Sequence, residues 1–460
     1  MKSLTDPSQA LSAGLAKIRT EFHVPDGFPA DVAAAADAAA RRTPNQHADR
    51  TDMPFVTLDP AASTDLDQAF SIESSRGDLL LYYAIADVAW FVEDGDLIDR
   101  EAWARGETFY LPDGKAGLYP PAIAEAAASL LPDGSRPAVI FTVRVAQDGA
   151  ATLDGAERAI IKSRAKLAYD SVEPSDVPAG FAEMARRVAA NEQARGASRV
   201  DPPEQEVERL ADGTFQLSFR PILQSEQDNA ALSLAANMAI ADAMLAHHTG
   251  LFRVMSGPDA FKVQRLRNAA QALGLSWPVS TGLRDYQRTL DPADPRQAAL
   301  MLEIRHAGQG ASYQPYKEGV VPWHEAMAAT YAHATAPLRR LADRYVVRCA
   351  LAIANGQPVP QAVTDAFAGL PKVMGRADSR AAQINHAAID LAEAVMLRDR
   401  VGETFKAAVT DIVDQGVRVQ LADMPVVATV KASGVRQGDG LTLKLVSADP
   451  DQRRIVFETA

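Results

Sequence analysis

The chain has 460 residues, 47% hydrophobic and 23% charged, which is the make-up of an ordinary soluble enzyme with room for two to four domains. A single cysteine, Cys349, excludes an intrachain disulfide, and no run of about 18 apolar residues or leader-like start stands out, so a cytoplasmic protein with no membrane contact is expected. Fifty-nine acidic residues against 47 basic ones leave a net charge of −12, which argues against a broad basic footprint and confines any nucleic-acid contact to a local patch or channel.

Along the chain, Pro7 opens an amphipathic stretch to about Phe22, with Leu11, Leu15 and Ile18 at helical spacing. Pro25-Asp26-Gly27 makes a turn, and Pro29 starts an alanine-rich helix that ends near Arg41-Arg42. Residues 1–50 therefore read as a small helical module, either a helix-turn-helix or a cap packed on the main domain. From Pro54 the texture changes to strands: Phe55-Val56-Thr57-Leu58, Ala69-Phe70-Ser71-Ile72 and the apolar run Leu79 to Ile85. Helical patterns dominate from about Asn229 to Leu397. Five short strands are expected near 407–412, 417–421, 426–430, 441–446 and 454–457, with turns at Gly416 and Gly438-Asp439-Gly440, which fits a small OB-type barrel. The expected fold is α+β: a large mixed domain over 51–400 between the helical module and a barrel over 401–460.

The sharpest local signal is the stretch from Thr57 to Phe70. Asp59 ends an apolar strand, and Asp65 and Asp67, two apart, project from one face of an extended segment. Carboxylates converging on one loop repel unless a cation or a proton joins them, and hard oxygen ligands suit Mg²⁺ or Mn²⁺. Taken alone, the same residues also read as a solvated acidic turn. Ser63-Thr64, in place of an apolar strand before Asp65, speaks against an aspartyl-nucleophile loop.

The stretch resembles the RNB signature of the RNase II family, in which a strand-ending Asp-x5-Asp-x-Asp-Asp supplies four acidic metal ligands. Asp59, Asp65 and Asp67 match, while Gln68, a neutral oxygen donor, stands at the fourth position. Ile85-Ala86-Asp87-Val88, Phe109-Tyr110-Leu111-Pro112 and the segment Ser163 to Tyr169 are similar to further family blocks. So is Tyr331-Ala332-His333-Ala334-Thr335-Ala336-Pro337-Leu338-Arg339-Arg340-Leu341-Ala342-Asp343, the most specific of them. The resemblance implies a Mg²⁺-dependent 3′→5′ exoribonuclease, with Mn²⁺ able to substitute, that releases 5′-nucleoside monophosphates processively and ends in an S1 domain. It implies Asp65, Asp67 and Arg339 as catalytic, and Asp59, Asp65, Asp67 and Gln68 as metal-binding. RNA contacts fall on Tyr110, Tyr169, Arg339, Arg340 and Asn385. A guanidinium at Arg339 suits the charge that develops on phosphorus, and an aromatic at Tyr110 suits base stacking. His333, with no second His or Cys at ligand spacing, reads as a structural imidazole.

Departures from the family pattern accompany the match. An expected acidic pair falls on Ala230 and Ala231, a clamp glutamate on Asn385, and an aromatic on Val207; the approach to the arginine motif is Trp323-His324-Glu325-Ala326. Only about fifty residues precede the RNB-like region, too few for two cold-shock barrels, so a wider mouth and digestion into a duplex with a 3′ overhang are expected. A monomer with RNA as its partner is the working expectation. The alternative is a catalytically weak RNB-fold protein that binds RNA and regulates, motivated by Gln68 and Asn385.

Overall fold

A computed structural model describes residues 3–4, 9–197, 204–210, 214–220, 222–291, 294–308, 310–413, 416–436 and 438–460. Of the expected first helix, Pro7 and Ser8 lie outside these residues. Helix α1 spans Ala10–Glu21 and α2 spans Ala30–Ala39, flanked by two-residue strands β1 (Ser3–Leu4) and β2 (Ala48–Asp49). The helices share no core of their own. Leu11, Leu15 and Ile18 bury against Ala377, Ile384 and Leu391 of a distant helix, whereas Ala36 and Ala39 join the main core. That division is the packing of a cap. β2 pairs with a strand of the main sheet, so that sheet reaches back before residue 50.

The main region continues with β3 (Val56–Asp59), β4 (Gln68–Ser75) and β5 (Asp78–Ala86), then α3 (Val88–Phe91) and α4 (Leu97–Arg105). After the hairpin β6 (Phe109–Leu111) and β7 (Gly114–Ala116) come β8 (Arg136–Val145), β9 (Ala151–Ile161) and β10 (Ala165–Ala168). Seven strands form one sheet in the order β10-β3-β4-β5-β8-β9-β2, antiparallel except at its two ends. Burial explains the central place of β5, whose Leu79, Leu81, Tyr83 and Ile85 are all inside.

Helix α5 (Phe181–Arg195) comes next, then β11 (Glu204–Arg209) and β12 (Phe215–Arg220), which form a separate small sheet with β1. α6 (Gln224–Ala246) is long and apolar enough to cross a membrane, and most of that apolar stretch is buried within the fold. β13 (Leu251–Val254) and β14 (Ser312–Pro315) pair around a helical excursion of α7 (Ala260–Ala272), α8 (Leu283–Gln287) and α9 (Pro295–Ala307). That excursion closes on its own core, which includes Leu266, Tyr286 and Leu300. The short pair β15 (Trp323–His324) and β16 (Ala329–Thr330) leads to α10 (Leu341–Ala354) and α11 (Gln361–Leu397).

α11 is the spine of the molecule. Its Phe367 and Met374 belong to the main core, Ile384 and Leu391 to the cap, and Leu397 to the barrel. At 37 residues it is about 55 Å long. The chain ends in β17 (Thr404–Val413), β18 (Gly416–Leu421), β19 (Val427–Val430), β20 (Gly440–Asp449) and β21 (Arg454–Thr459), the five strands expected. Their order is β19-β18-β17-β20-β21, and β19 approaches β21, so the sheet curls into a nearly closed barrel around Val419, Leu443, Leu445 and Phe457.

Candidate active site

β3 is buried from Val56 to Asp59, and β10 beside it sets Ala168 opposite Asp59, so Tyr169 lies at the same strand end with its N–H donating to the Asp59 carbonyl at 3.3 Å. Asp59 is nearly enclosed, and its Oδ2 is buried with no hydrogen-bond donor. Downstream, Leu66 is fully buried and its N–H donates to Ser129 Oγ at 2.9 Å, and Asp65 beside it lies near enough to act on the charges of both Asp59 and Asp67. Burial pushes the Asp59 carboxyl up to about 6, with Arg339 pulling the other way and Asp65 adding to the rise. Burial likewise pushes Asp67 up to about 7, opposed by Arg339 and the Leu338 N–H. Two reluctantly ionised carboxyls and an oxygen without a donor are a hard-oxygen set that a divalent cation would satisfy.

The arginine motif meets this acidic strand across 272 residues of sequence. Asp67 Oδ2 accepts from Arg339 Nε at 2.6 Å, and Oδ1 accepts from the Leu338 N–H at 2.7 Å. The turn that carries them is held by Asp343, which accepts from the Ala336 N–H at 2.8 Å and from Arg340 at 3.0 and 2.7 Å. Arg340, expected as an RNA contact, holds Asp343 in this turn and keeps 27% of its side chain exposed. Backbone bonds from Thr108 to the Arg339 carbonyl and from Leu341 to the Gly106 carbonyl tie the turn to the segment entering β6. Burial disfavours the Arg339 charge, but Asp67, Tyr110 and Asp59 outweigh it and hold its pKa above the ordinary arginine value. Its side chain keeps 38% of its surface exposed.

Gln68, expected as a fourth ligand, is engaged elsewhere. Its Oε1 accepts from the Tyr83 hydroxyl and from Ser233 Oγ, and those two hydroxyl oxygens lie 2.6 Å apart. Lys115 donates to Asp65 at 2.7 Å and to Glu125 at 3.1 Å. With Arg339 on Asp67 and Lys115 on Asp65, no three His, Cys, Asp or Glu side chains among the described residues form a ready-made cation cage.

A cavity of about 280 Å³ opens beside these groups, lined by Gln68, Tyr169, Asn229, Ser233, Arg339 and Arg340 among others. Ala230, where an acid was expected, also faces it, while Ala231 is buried. Asn229 donates to the Tyr169 hydroxyl at 2.9 Å and to the Leu58 carbonyl at 3.1 Å, which fixes the ring at the cavity wall. A second cavity of about 640 Å³ gathers Tyr110, Glu206, Val207, Arg220 and Asn385. Tyr110 projects there because the hairpin buries Phe109 and Leu111 and turns the residue between them outward, 55% exposed. His333 is enclosed, with Nδ1 2.9 Å from the Tyr313 hydroxyl and the ring edge-on to Tyr331, which is the structural imidazole expected. Sequence reading missed Lys115, Tyr83, Ser233, Asn229 and Arg220; for Lys115 the signal was the Pro112-Asp113 turn before Gly114, which places it opposite Tyr110.

Residues 47–355 match the RNB domain family, and residues 403–460 match the RNase II-type exonuclease C-terminal S1 domain. Ribonuclease R of Aquifex aeolicus is 25% identical over 497 residues, an alignment covering 95% of this chain and 69% of that protein. Among solved structures, Mycoplasma genitalium RNase R in complex with ribose-methylated single-stranded RNA superposes with a TM-score of 0.87 at 19% identity, over 100% of this chain and 79% of the other. The same enzyme in complex with double-stranded RNA gives 0.84 at 21% identity, over 100% and 85% of the two chains. At these identities the structural likeness establishes the fold.

Proposed function

This chain belongs to the RNase II/R family of RNB-domain exoribonucleases, and from that premise we propose that it hydrolyses RNA processively from the 3′ end to 5′-nucleoside monophosphates. The observation that carries the reading is the junction of Asp67 and Arg339 beside the smaller cavity. Asp67 holds Arg339 through Nε and Tyr110 bonds the same guanidinium, so the planar fork stands between the acids and the aromatic, where it can meet the negative charge that develops on phosphorus. Asp59, Asp65 and Asp67 supply carboxylate oxygens for Mg²⁺, with Mn²⁺ as a substitute. Such a cation, when bound, polarises a phosphate oxygen and makes water a better nucleophile. Gln68 buttresses the wall through Tyr83 and Ser233. Tyr110 offers a face for base stacking, and Tyr169 closes the far end of the path.

Val207 and Asn385, facing Tyr110 across the larger cavity, give a looser grip than an aromatic and a carboxylate would, so the end product differs in length from that of a fully clamped site. The double-stranded RNA complex of the Mycoplasma relative supports a further element of the proposal, digestion into a duplex that carries a short 3′ overhang. The protein acts as a cytoplasmic monomer.

Two labelled substrates test this: a fully single-stranded RNA and a hairpin with a 3′ tail, each with Mg²⁺ and with EDTA. Mononucleotide release that EDTA stops is expected on both. Asp67→Asn should nearly abolish release while leaving RNA affinity largely intact, because it removes a charge at the metal and leaves one acceptor oxygen where Asp67 serves both Arg339 Nε and the Leu338 N–H. The regulatory alternative, motivated by Gln68 and Asn385, gives tight binding with no mononucleotide at any Mg²⁺ concentration. Arrest several nucleotides before the hairpin removes the duplex element alone.

A further inference from the structure

Two features of the acidic site are unaccounted for by the proposed hydrolysis: a lysine inside it and a glutamine whose acceptor is already taken. Lys115 sits on β7 directly opposite Tyr110 of β6, and cross-strand neighbours share a face of the hairpin. The hairpin that presents Tyr110 therefore also delivers an ammonium to the acids. Lys115 Nζ lies 2.7 Å from Asp65 Oδ1 and 3.3 Å from Thr64 Oγ1, while Glu125, a third exposed, holds it from the solvent side at 3.1 Å. The Asp65 side chain is only 10% exposed, and the Lys115 side chain 24%. This is a partly enclosed pair, screened less than a surface contact.

The remaining groups complete the pattern. Gln68 carries no charge, and its one strong acceptor is bonded by Tyr83 and Ser233. Asp67 has a donor on each oxygen. Of the three aspartates, only Asp59 keeps a buried oxygen with no donor. The three aspartates, Glu125 and a phosphodiester bring five negative charges, and Arg339, Lys115 and a single divalent cation answer four of them. A second divalent ion would have to displace Lys115 from Asp65, the carboxylate it would need.

We infer that Lys115 is a fixed cation of the active centre, standing in place of a second metal ion, so that this chain works with one divalent cation. Lys115 is a positioning residue: it orients Asp65 and neutralises it without touching the reacting phosphate. The inference rests on the hydrolytic reading above.

Counting bound Mn²⁺ tests it, by calorimetric titration and equilibrium dialysis of the intact protein with Mn²⁺ alone. The wild type should bind one ion per chain. Lys115→Met should take up a second ion, because Asp65 and Glu125 are then released, whereas Lys115→Arg should keep the count at one. In single-turnover digestion, Lys115→Met should be about 10- to 100-fold slower at low Mn²⁺, the usual effect of losing a group that orients a metal ligand. High Mn²⁺ should restore its rate, which a merely structural lysine would not allow. Two ions of similar affinity in the wild type overturn the inference and leave hydrolysis standing; that count needs no variant, so a poorly folding Lys115→Met does not blunt it. No bound Mn²⁺ in the wild type overturns the metal-dependent reading as well. An unchanged count in a folded Lys115→Met, with a rate no Mn²⁺ concentration restores, makes Lys115 structural.

Discussion

Arg339→Lys separates charge from geometry at the candidate site. The guanidinium spends Nε on Asp67 at 2.6 Å, also bonds Tyr110, and leaves over a third of the side chain exposed. A lysine has one nitrogen. It can stay on Asp67, which is 1% exposed and needs a cation, or it can reach the phosphate, and it cannot do both. Burial makes the first choice the stronger, because an unpaired buried carboxylate is the costlier alternative. The variant should therefore fold and bind RNA like the wild type while losing one transition-state contact, about 3 kcal/mol or a few hundred-fold in rate. The assay is single-turnover digestion of 5′-labelled single-stranded RNA with protein in excess, beside a filter-binding titration in EDTA. Arg339→Ala, as a companion, removes the partner of Asp67 and should add a loss of stability that the lysine variant does not show. A lysine variant within about threefold of the wild-type rate would refute the assignment and make Arg339 a structural partner of Asp67.

Two further predictions concern stability. Asp99→Ala leaves the Arg344 guanidinium, 1% exposed and bonded to Asp99 and to the Tyr345 hydroxyl, without its carboxylate, and should cost about 3–5 kcal/mol in urea unfolding. Glu393 joins α11 to the barrel through the Val427 N–H at 2.9 Å and to β11 through Gln205 at 2.7 Å, and burial pushes its carboxyl up to about 7. Because that folded value lies above the unfolded one of 4.5, the protonated form is the favoured one in the fold; stability is full below about pH 4.5 and is lost as pH rises to about 7, by roughly 3 kcal/mol at most. Glu393→Gln should then raise the unfolding midpoint at pH 8 and leave it unchanged at pH 4.5; an equal shift at both would exclude this titration as the cause.

What was legible in the chain was what is local. The acids fall at fixed spacing, and the arginine motif is one continuous block, so both could be read without knowing that they meet. The barrel announces itself by strand alternation and turn glycines. Three other features depend on contacts that no window contains. Lys115 reaches Asp65 through the register of a two-residue turn, and Gln68 finds its donors at Tyr83 and Ser233, 15 and 165 residues away. The first two helices look alike as amphipathic segments, yet their apolar faces go to different cores, because α11 offers Ile384 and Leu391 to one and the main sheet takes the other. The hairpin of β8 and β9 and the pair β11 and β12 also went unread, the latter because a run as polar as Glu204-Gln205-Glu206 carries too little apolar signal to mark a strand.

The acidic surplus, which at first argued against nucleic acid, is better understood through where the cations go. Many arginines are consumed in ion pairs: Arg19 with Asp113, Arg50 with Glu157, Arg144 with Asp78 and Asp154. Those pairs cancel locally and present little field to an approaching polyanion. Lys372, Arg376 and Arg380 differ: they recur at one-turn intervals on α11, line one cavity beside α1, and carry no ion pair among the described residues. Arg380 also sits over the ring of Phe109, the neighbour of Tyr110 on β6. These three cations make one local positive patch beside the hairpin on an acidic chain, so a net charge of −12 does not by itself exclude a polyanion.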